Sequence, residues 1–360
     1  MSRRAASPRN AGHDGASRRS GLSLPGSRSS ADAGPPSPAI EDVSRFRRDL
    51  ERAIGTSPDR VALAVSGGPD SMALLTLAAV AMPGRILVAT VDHGFRPGSA
   101  DEAATVARHC KTIGAPHATL TPDAPIAGSS IQARARDMRY GLLARWAIAE
   151  GAACLATAHH ADDQAETFLM RAARGSGLSG LAGIRRRVEI AGVIVVRPLL
   201  GWRRAELRAV ARRAGAPFVD DPANADPRHD RTRFRALLEQ NSWLDPTALA
   251  ESAAHLAEID ADLRATVAHL WRARVRANGG RVDLDVADLA AELRRRLSRQ
   301  AITAVREAGT ITAPSWLEAT NIESFLDALS AGKSAVHAGV MASVRGTVWR
   351  FRPAPARRRN

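Results

Sequence analysis

Short apolar runs alternate with longer amphipathic segments along most of this chain. The run at 61–65 is apolar at every position, which is typical of a strand buried on both faces of a parallel sheet. Because repeated strand–helix units build such sheets, we predict an α/β fold with a doubly wound, mostly parallel sheet. Further strands are predicted at 86–92, 117–120, 153–158 and 193–197, and helices at 40–54, from 70, from 99, and at 130–149, 162–173 and 203–214.

The pattern changes after about residue 240. Amphipathic helical segments with arginine-rich faces follow, and alternation near the end predicts a β-hairpin from 334–340 and 341–351. We therefore predict an α/β domain at 39–240 and a second, mainly helical domain at 241–352. The helices predicted in the second domain are 246–275, 286–308 and 316–331.

Both ends of the chain differ in composition from the rest. Residues 1–38 are rich in Ser, Arg, Gly and Pro and lack the apolar stretch of a secretory signal, so we predict a disordered extension. Residues 353–360 include Arg357-Arg358-Arg359 and form a predicted basic tail.

Charge and cysteine content narrow the class of protein. The 360 residues carry a formal net charge of +14, which points to a polyanionic partner. Such a charge favours nucleic acid over a membrane surface as the partner. In addition, no apolar run is long enough to span a bilayer. The only cysteines, Cys110 and Cys154, do not form a C-x-x-C pair. We interpret them as structural thiols in a reducing compartment, which predicts a cytoplasmic location.

The segment Ser66-Gly67-Gly68-Pro69-Asp70-Ser71 lies between a predicted strand and a predicted helix. Backbone N–H groups at a helix N-terminus are unpaired and favour an anion, and glycines permit close approach of a phosphate. A Walker P-loop has a different spacing and needs a lysine that this loop lacks. We therefore interpret the segment as a phosphate-binding loop of another type, against the alternative of an ordinary strand–helix turn.

A second group, His159-His160-Ala161-Asp162-Asp163-Gln164-Ala165-Glu166, opens a predicted helix. Asp163 and Glu166 are three residues apart and share a helix face, an arrangement that suits Mg²⁺ or an ammonium group. An acidic first turn that complements the helix dipole would explain the two aspartates but not Glu166.

Arginines supply the remaining candidate residues. Arg136 and Arg139 share a predicted helix face, Arg174 precedes a Gly-Ser-Gly loop, and Arg231 and Arg235 follow a polar loop. Two interpretations of these positions stay open. The arginines contact phosphate or RNA, or they form a solvated basic surface.

Together these blocks resemble the tRNA(Ile)-lysidine synthetase family of the PP-loop (N-type) ATP pyrophosphatases, over about residues 61 to 235. This sequence differs from the family's motifs at two positions. Gln132 stands where glutamate is more common, and Ala223 stands where serine is more common. Its motifs are the Ser66–Ser71 loop, His93-Gly94-Phe95-Arg96, the Gln-Ala-Arg-Ala-Arg-x-x-Arg-Tyr helix, His-His-x-x-Asp-Gln-x-Glu-Thr, Arg-Gly-Ser-Gly-Leu, Arg197-Pro198-Leu199-Leu200, and Asp221-Pro222-x-Asn224.

The resemblance implies an ATP-dependent ligase. It would join free L-lysine to the wobble cytidine of tRNA(Ile) with a CAU anticodon, through an adenylated base, and release AMP and pyrophosphate. A tRNA-binding role for the second domain is implied too, and a homodimer stays open. The implied site residues are Ser66, Gly67, Gly68, Pro69, Asp70, Ser71 and His93 for ATP, Asp70 for Mg²⁺, Asp163 and Glu166 for lysine, Arg136 and Arg139 for phosphate or the lysine carboxylate, and Arg174, Arg231 and Arg235 for tRNA.

Three alternatives remain open. A PP-loop tRNA thiolase would need the catalytic or cluster-binding cysteines that this sequence lacks. An inactive RNA-binding module would have no need of Asp70, Asp163 and Glu166. A small-molecule ligase would have no use for a basic second domain.

Overall fold

A computed structural model of the chain describes residues 37–94, 98–123, 131–219, 230–317 and 320–355. Outside this part lie residues 1–36 of the predicted extension, Phe95, Arg96, the side chain of Gln132, the polar loop that contains Asp221, Pro222, Ala223 and Asn224, and residues 356–360 of the predicted tail.

Six strands in the first part of the chain form one sheet. They are β1 (Val61–Ala64), β2 (Ile86–Val91), β3 (His117–Leu120), β4 (Cys154–Ala156), β5 (Arg187–Ile190) and β6 (Val193–Val196). The order is β3-β2-β1-β4-β6-β5, and every neighbouring pair is parallel except β5 with β6. The strand order therefore reverses between β1 and β4, and the predicted doubly wound, mostly parallel sheet is confirmed.

Helices cover both faces of this first sheet. They are α1 (Ile40–Ile54), α2 (Pro69–Ala81), α3 (Ser99–Thr112), α4 (Ile131–Ala149), α5 (Ala161–Ala172), α6 (Leu178–Leu181), α7 (Arg204–Arg213) and α8 (Asp230–Gln240). Helix α2 is apolar on almost all sides and packs against both α1 and α7, with Leu63 and Phe46 in the same core. On the other face, α4 packs Leu143 against Ala62 and Leu155.

The last part of the chain forms a second sheet with its own core. Its helices are α9 (Pro246–Arg274), α10 (Ala291–Ala308) and α11 (Glu323–Ser330), and its strands are β7 (Val275–Asn278), β8 (Arg281–Asp285), β9 (Ala335–His337), β10 (Val340–Arg345) and β11 (Val348–Pro353). The order is β7-β8-β11-β10-β9, and all pairs are antiparallel. Leu284, Phe351 and Leu297 of α10 meet in the core between helices and sheet.

Two hairpins were missing from the sequence prediction. The segment predicted as one terminal hairpin has three strands, and the hairpin β7–β8 extends it to five. That hairpin and β5–β6 each turn on two residues with positive φ, Gly279 (54°) with Gly280 (77°) and Ala191 (51°) with Gly192 (80°). Such two-residue turns match the right-handed twist of paired strands. The Gly-Gly pair is a sequence signal that predicts the first of these hairpins.

The predicted division of the chain at residue 240 coincides with the end of α8 at Gln240 and stays a prediction. In the described ranges, no helix combines the length and the apolar character needed to cross a bilayer.

The central strand β1 should dominate the stability of the first sheet. Leu63 is fully buried there, so Leu63→Ala removes buried apolar volume and should lower the free energy of unfolding by about 2–5 kcal/mol. Val80 on α2 is 47% exposed, and Val80→Ala should cost less than about 1 kcal/mol. Urea denaturation followed by circular dichroism compares the two midpoints. Equal midpoint shifts would contradict this description of the core.

Candidate functional site

A cleft of about 1170 Å³ opens at the carboxyl ends of β1, β2 and β4. This edge of an open parallel sheet, at the point where the strand order reverses, is where ligands of such folds bind. The loop after β1 and the segment after β4 both line it, although about ninety residues separate them in the chain. Side chains that line the cleft include Ser66, Asp70, His93, Arg136, Arg139, Asp163, Arg231 and Arg235.

The loop between β1 and α2 has the geometry of an anion site. Ser71 Oγ accepts a hydrogen bond from the Ser66 N–H at 3.1 Å and donates one to the Gly68 carbonyl at 2.9 Å, which closes the loop on itself. Gly67 has φ +85°, a conformation that favours glycine. No side chain caps α2 at Gly68 in the described residues, so the first N–H groups of this helix are available to a ligand.

His160 connects the loop to the segment after β4. Its ring is 2% exposed, and its Nε2 lies 3.3 Å from Asp70 Oδ2. Its Nδ1 accepts the Asp163 N–H at 3.3 Å, while Asp163 Oδ2 accepts the His160 N–H at 3.1 Å, a reciprocal cap at the start of α5. With Nδ1 as acceptor, the neutral ring carries its hydrogen on Nε2 and donates it toward Asp70.

Asp70 therefore has two different carboxylate oxygens. Oδ2 faces His160, whereas Oδ1 is buried and has no hydrogen-bond partner among the described residues. A buried oxygen without a donor fits a cation ligand. No described group of three or more His, Cys, Asp or Glu side chains is arranged to hold a metal by itself. This donor set fits Mg²⁺ only where phosphate oxygens and water complete the coordination, as is usual for this ion.

Glu166 and Asp163 are held by arginines. Glu166 is 1% exposed, and its Oε1 accepts from Arg204 at 3.0 Å and Arg235 at 2.9 Å, while its Oε2 accepts from Arg231 at 2.6 Å. Arg231 also reaches Asp163 Oδ1 at 2.7 Å. These pairs tie α5 to α7 and α8, and they satisfy charges that would be costly to bury alone.

The environment of Asp163 strongly favours its ionised form. Burial raises the pKa of this carboxyl, but the His160 ring when protonated, the guanidinium of Arg231, the His159 ring when protonated and the His160 backbone N–H more than offset burial and lower the pKa to about 2. His159 shows the opposite balance. Burial lowers its pKa to about 3, and its Nδ1 lies 2.9 Å from Thr157 Oγ1, so it is neutral at physiological pH.

Arg136 and Arg139 both lie close to one aromatic ring. Their guanidinium carbons are 5.0 and 5.7 Å from the ring centre of Tyr140, close enough for cation–π attraction. Burial lowers the pKa of Arg139. Both arginines and Tyr140 line the cleft. The structure thus brings the two predicted arginines to the same cleft as the glycine–serine loop.

His93 and Arg174 occupy different surroundings. His93 follows β2 and lines the cleft, and burial lowers its pKa. Arg174 lies beyond the end of α5, outside the cleft lining, and forms an ion pair with Asp230 at the start of α8. It therefore joins the ends of two helices rather than reaching the cleft.

Sequence reasoning missed Arg204 and the bridging role of His160. Arg203 and Arg204 open α7, and positive charge at a helix N-terminus is unfavourable by itself. Asp162 compensates it by accepting from the Arg204 N–H at 2.7 Å and from the Arg203 guanidinium at 3.2 Å. Adjacent arginines at a predicted helix start were the signal that carboxylates had to lie nearby.

The two cysteines lie away from the cleft. Cys110 and Cys154 are both fully buried, and burial raises their pKa to about 11 and about 12. Thiols with such values are poor nucleophiles at neutral pH. Their surroundings agree with the prediction that they are structural.

Comparison with known proteins shows which proteins this chain is similar to. The PP-loop domain family matches residues 42–241. A tRNA(Ile)-lysidine synthase of Zymomonas mobilis is 43% identical over 322 residues, which cover 88% of this chain and 95% of that protein. One from Novosphingobium aromaticivorans is 44% identical with the same coverage, and one from Bradyrhizobium diazoefficiens is 38% identical, again over 88% and 95%.

A solved structure supports the fold. The U34-tRNA thiolase NcsA from Methanococcus maripaludis, determined with its [4Fe-4S] cluster, superposes with a TM-score of 0.50 at 18% identity. The match covers 60% of this chain and 79% of that one.

Gly67 should be required for nucleotide binding. A Cβ there would meet Val106 Cγ2 at 3.5 Å, an ordinary contact, so the penalty of Gly67→Ala comes from its φ of +85° and distorts the loop. We expect the affinity for a non-hydrolysable ATP analogue to fall at least tenfold by calorimetry. Gly84 has φ +71° and open space around it at the opposite edge of the sheet, so Gly84→Ala carries the same kind of strain and should leave affinity unchanged. An equal loss in both variants would contradict a specific role of the loop.

His159 should contribute to the pH dependence of stability. Its pKa is about 3 in the folded protein against about 6.5 when unfolded, so between these values the unfolded chain binds an extra proton and stability falls as pH decreases. This loss should amount to about 1–2 kcal/mol between pH 6.5 and 5. It should be absent from His159→Asn and retained in His269→Asn, which removes an exposed histidine of α9. Urea unfolding at each pH measures the slopes, and an unchanged slope in His159→Asn would contradict the assignment.

Proposed function

Because this chain belongs to the tRNA(Ile)-lysidine synthase family of PP-loop proteins, we propose that it uses ATP to join lysine to the wobble cytidine of tRNA(Ile) with a CAU anticodon. The product is lysidine, and the modified anticodon would read AUA in place of AUG. The observation that carries the proposal is the single cleft in which the Ser66–Ser71 loop, Asp70, Asp163 and the arginine pair of α4 face one volume.

ATP would bind with its phosphates on the loop. The N–H groups at the start of α2 and the hydroxyl of Ser66 would donate to phosphate oxygens, while Ser71 keeps the loop in its closed shape. His93, neutral because burial lowers its pKa, stands at the next strand end as a further contact. Mg²⁺ would be held by Asp70 Oδ1 together with phosphate oxygens, and when bound it would neutralise charge on the pyrophosphate.

The first step is adenylation of the base. The 2-oxo oxygen of the cytosine attacks the α-phosphorus of ATP, a new P–O bond forms, and the bond to the β-phosphate breaks with release of pyrophosphate. Negative charge grows on the phosphate oxygens in the transition state. Arg136 and Arg139, which both lie beside the Tyr140 ring, would stabilise that charge.

The second step replaces AMP by lysine. The ε-amine, after loss of a proton, attacks C2 of the adenylated base, and the C–O bond to AMP breaks. Asp163 lines the cleft and remains ionised, so it would bind the incoming ammonium. A carboxylate with a pKa of about 2 is a weak base, which makes binding and orientation its main contribution.

Glu166 differs from Asp163 in how it could take part in lysine binding. Both of its oxygens accept hydrogen bonds from guanidinium groups, so direct contact with lysine requires one of these arginines to turn away. Arg231 and Arg235 are themselves candidates for tRNA contact, and RNA phosphates would compete with Glu166 for them. We expect Arg174 and the second domain at 241–352 to add further tRNA contacts, and the enzyme to act in the cytoplasm.

The rival functions have less support. A thiolase would use reactive cysteines, whereas both thiols here are buried with raised pKa. An inactive RNA-binding module would not need, beside a phosphate loop, a buried carboxylate oxygen that has no hydrogen-bond partner among the described residues.

Nucleoside mass spectrometry tests the reaction. Unmodified tRNA(Ile) with a CAU anticodon, incubated with protein, ATP, Mg²⁺ and lysine, should yield a lysine adduct on cytidine only when ATP and lysine are both present. Asp70→Asn keeps the size of the side chain but removes its charge, and it should lower turnover at least a hundredfold. Asp59→Asn, at an exposed position before β1, should leave turnover unchanged. ATP cleavage without the adduct would redirect the search to another substrate, and the absence of both from folded protein would overturn the enzyme assignment.

A further inference from the structure

The segment 178–184, here called the connector, contacts helices of both parts of the chain. It contains α6, which packs against α5 of the first part and against α9 of the second. The connector follows the Gly-Ser-Gly loop next to Arg174, and none of its residues lines the cleft. It can therefore affect the reaction only through the helices that it touches.

Helix α5 holds the end of the connector through Gln164. This side chain is 3% exposed. Its Oε1 accepts the Ile184 N–H at 2.6 Å, and its Nε2 donates to the Ile184 carbonyl at 3.0 Å. Gln164 directly follows Asp163 and is two residues before Glu166. The connector is therefore attached at the turn of α5 that carries the two carboxylates proposed to bind lysine.

A second attachment to α5 uses Arg171, near the other end of this helix. Its guanidinium donates to the carbonyls of Gly180 at 2.7 Å and Gly183 at 3.1 Å. Both glycines lie at close contacts. A Cβ at Gly180 would lie 2.6 Å from Ser176 Cβ. A Cβ at Gly183, where φ is +65°, would collide with Gln164 Oε1. Such close packing leaves the connector little freedom to move independently of α5.

The second part of the chain holds the connector through Asp260, in the middle of α9. This carboxylate is 1% exposed. Its Oδ1 accepts from Ser179 Oγ of the connector at 2.5 Å and from Arg296 of α10 at 2.8 Å. Its Oδ2 accepts from Arg185, the residue after the connector, at 2.7 Å and from Arg264 of α9 at 3.0 Å. Asp260 thus ties the connector, near both of its ends, to α9 and α10.

The surroundings of Asp260 keep it ionised. Burial raises the pKa of its carboxyl, but hydrogen bonds from Ser179 and Arg296 lower it. The charges of Arg264 and Arg185 lower the pKa further, to about 2. A carboxylate that only fixed α9 against α10 would need Arg296 alone. The bonds to Ser179 and Arg185 attach the connector as well.

We propose that Asp260 is a positioning residue for the lysine-transfer step, which it affects by holding the connector and thereby α5. The attachment passes through Asp260, Arg185, Ile184, Gln164 and Asp163 in that order. A displacement of about 1 Å caused far from the reacting atoms can cost about a hundredfold in rate. The role in lysine transfer rests on the proposed function, whereas the attachment of α5 to α9 does not.

Asp260→Asn tests the proposal. The amide keeps the size of the side chain but removes the charge that the arginines share. Because the displaced Asp163 binds the lysine ammonium less well, the KM for lysine at saturating ATP and tRNA should rise about tenfold, with a smaller fall in kcat. Calorimetric affinity for the ATP analogue should stay at the wild-type value, since the Ser66–Ser71 loop is held by its own hydrogen bonds and by α2.

Ser179→Ala is a milder variant that leaves Asp260 paired with its arginines. It removes the hydrogen bond between Asp260 and the connector, so the KM for lysine should rise about threefold. Because both variants act through the connector, the double variant should resemble Asp260→Asn alone, whereas independent effects would multiply. If Asp260→Asn does not fold, the KM for lysine of Ser179→Ala decides the proposal by itself.

A matched control removes an ion-paired carboxylate elsewhere. Asp42 joins α1 to α7 by accepting from Arg213 at 2.9 Å. Asp42→Asn should leave both the KM for lysine and the affinity for the ATP analogue at their wild-type values. Urea unfolding midpoints give the stability of each variant, so that a general loss of folded protein is distinguished from a local effect on lysine binding.

Hydrogen–deuterium exchange gives a measurement that does not depend on the reaction. In Asp260→Asn and Ser179→Ala, amides of the connector and of the first turns of α5 should exchange faster than in the wild type, while those of α2 should be unchanged. If wild-type protein forms no lysine adduct but α5 exchanges faster in these variants, the proposed function fails and the attachment of α5 stands.

Three results would overturn the inference. The first is a KM for lysine in Ser179→Ala and in folded Asp260→Asn equal to that of Asp42→Asn. The second is a loss of ATP-analogue affinity as large as the loss of lysine affinity, which would mean that Asp260 supports only the overall fold. The third is faster exchange confined to the connector, with α5 unchanged.

Discussion

The pairing of β1 between β2 and β4 is the constraint on which the site depends. Because these strands are parallel, their carboxyl ends meet at one edge, and the loop after β1 faces the segment after β4. The largely buried helix α2 then fixes the direction of the loop's N–H groups. Without this strand order, Asp70 and His160 would have no contact. The phosphate loop and the carboxylates of α5 are therefore parts of one site through topology, not through closeness in the chain.

Ion pairs between carboxylates and arginines are the second constraint on how the helices are arranged. Buried carboxylates in this protein are accompanied by arginines, as in Glu166 with Arg204, Arg231 and Arg235. The same principle holds outside the cleft at Asp260 of α9, which is 1% exposed and bonds Arg185 and Arg296. That cluster connects the first sheet's edge to α9 and α10. Removing one partner from such a cluster leaves a buried charge uncompensated, which is why these contacts restrict how the helices are placed.

Arginines serve two distinct purposes in the described residues. Those that face Glu166 or Asp260 pair with internal carboxylates and hold the helices in position relative to one another. Those beside Tyr140 line the cleft, and several on the exposed side of the second sheet have no carboxylate partner in the described part of the chain. The high net charge of +14 is thus divided between arginines that pair with internal carboxylates and arginines that do not. A composition that is uniformly rich in arginine does not reveal this division.

The sequence by itself determined the parallel α/β class, the phosphate loop and the shared helix face of Asp163 and Glu166, since all of these depend on local periodicity and spacing. The Gly279-Gly280 turn was also readable locally, although it was missed. Only the tertiary structure decided that Glu166 is enclosed by Arg204, Arg231 and Arg235, that His160 reaches Asp70, and that the arginines of β7, β8, β10 and β11 share one face. Those contacts join residues far apart in the chain, and strand order and register, which local pattern does not encode, bring them together.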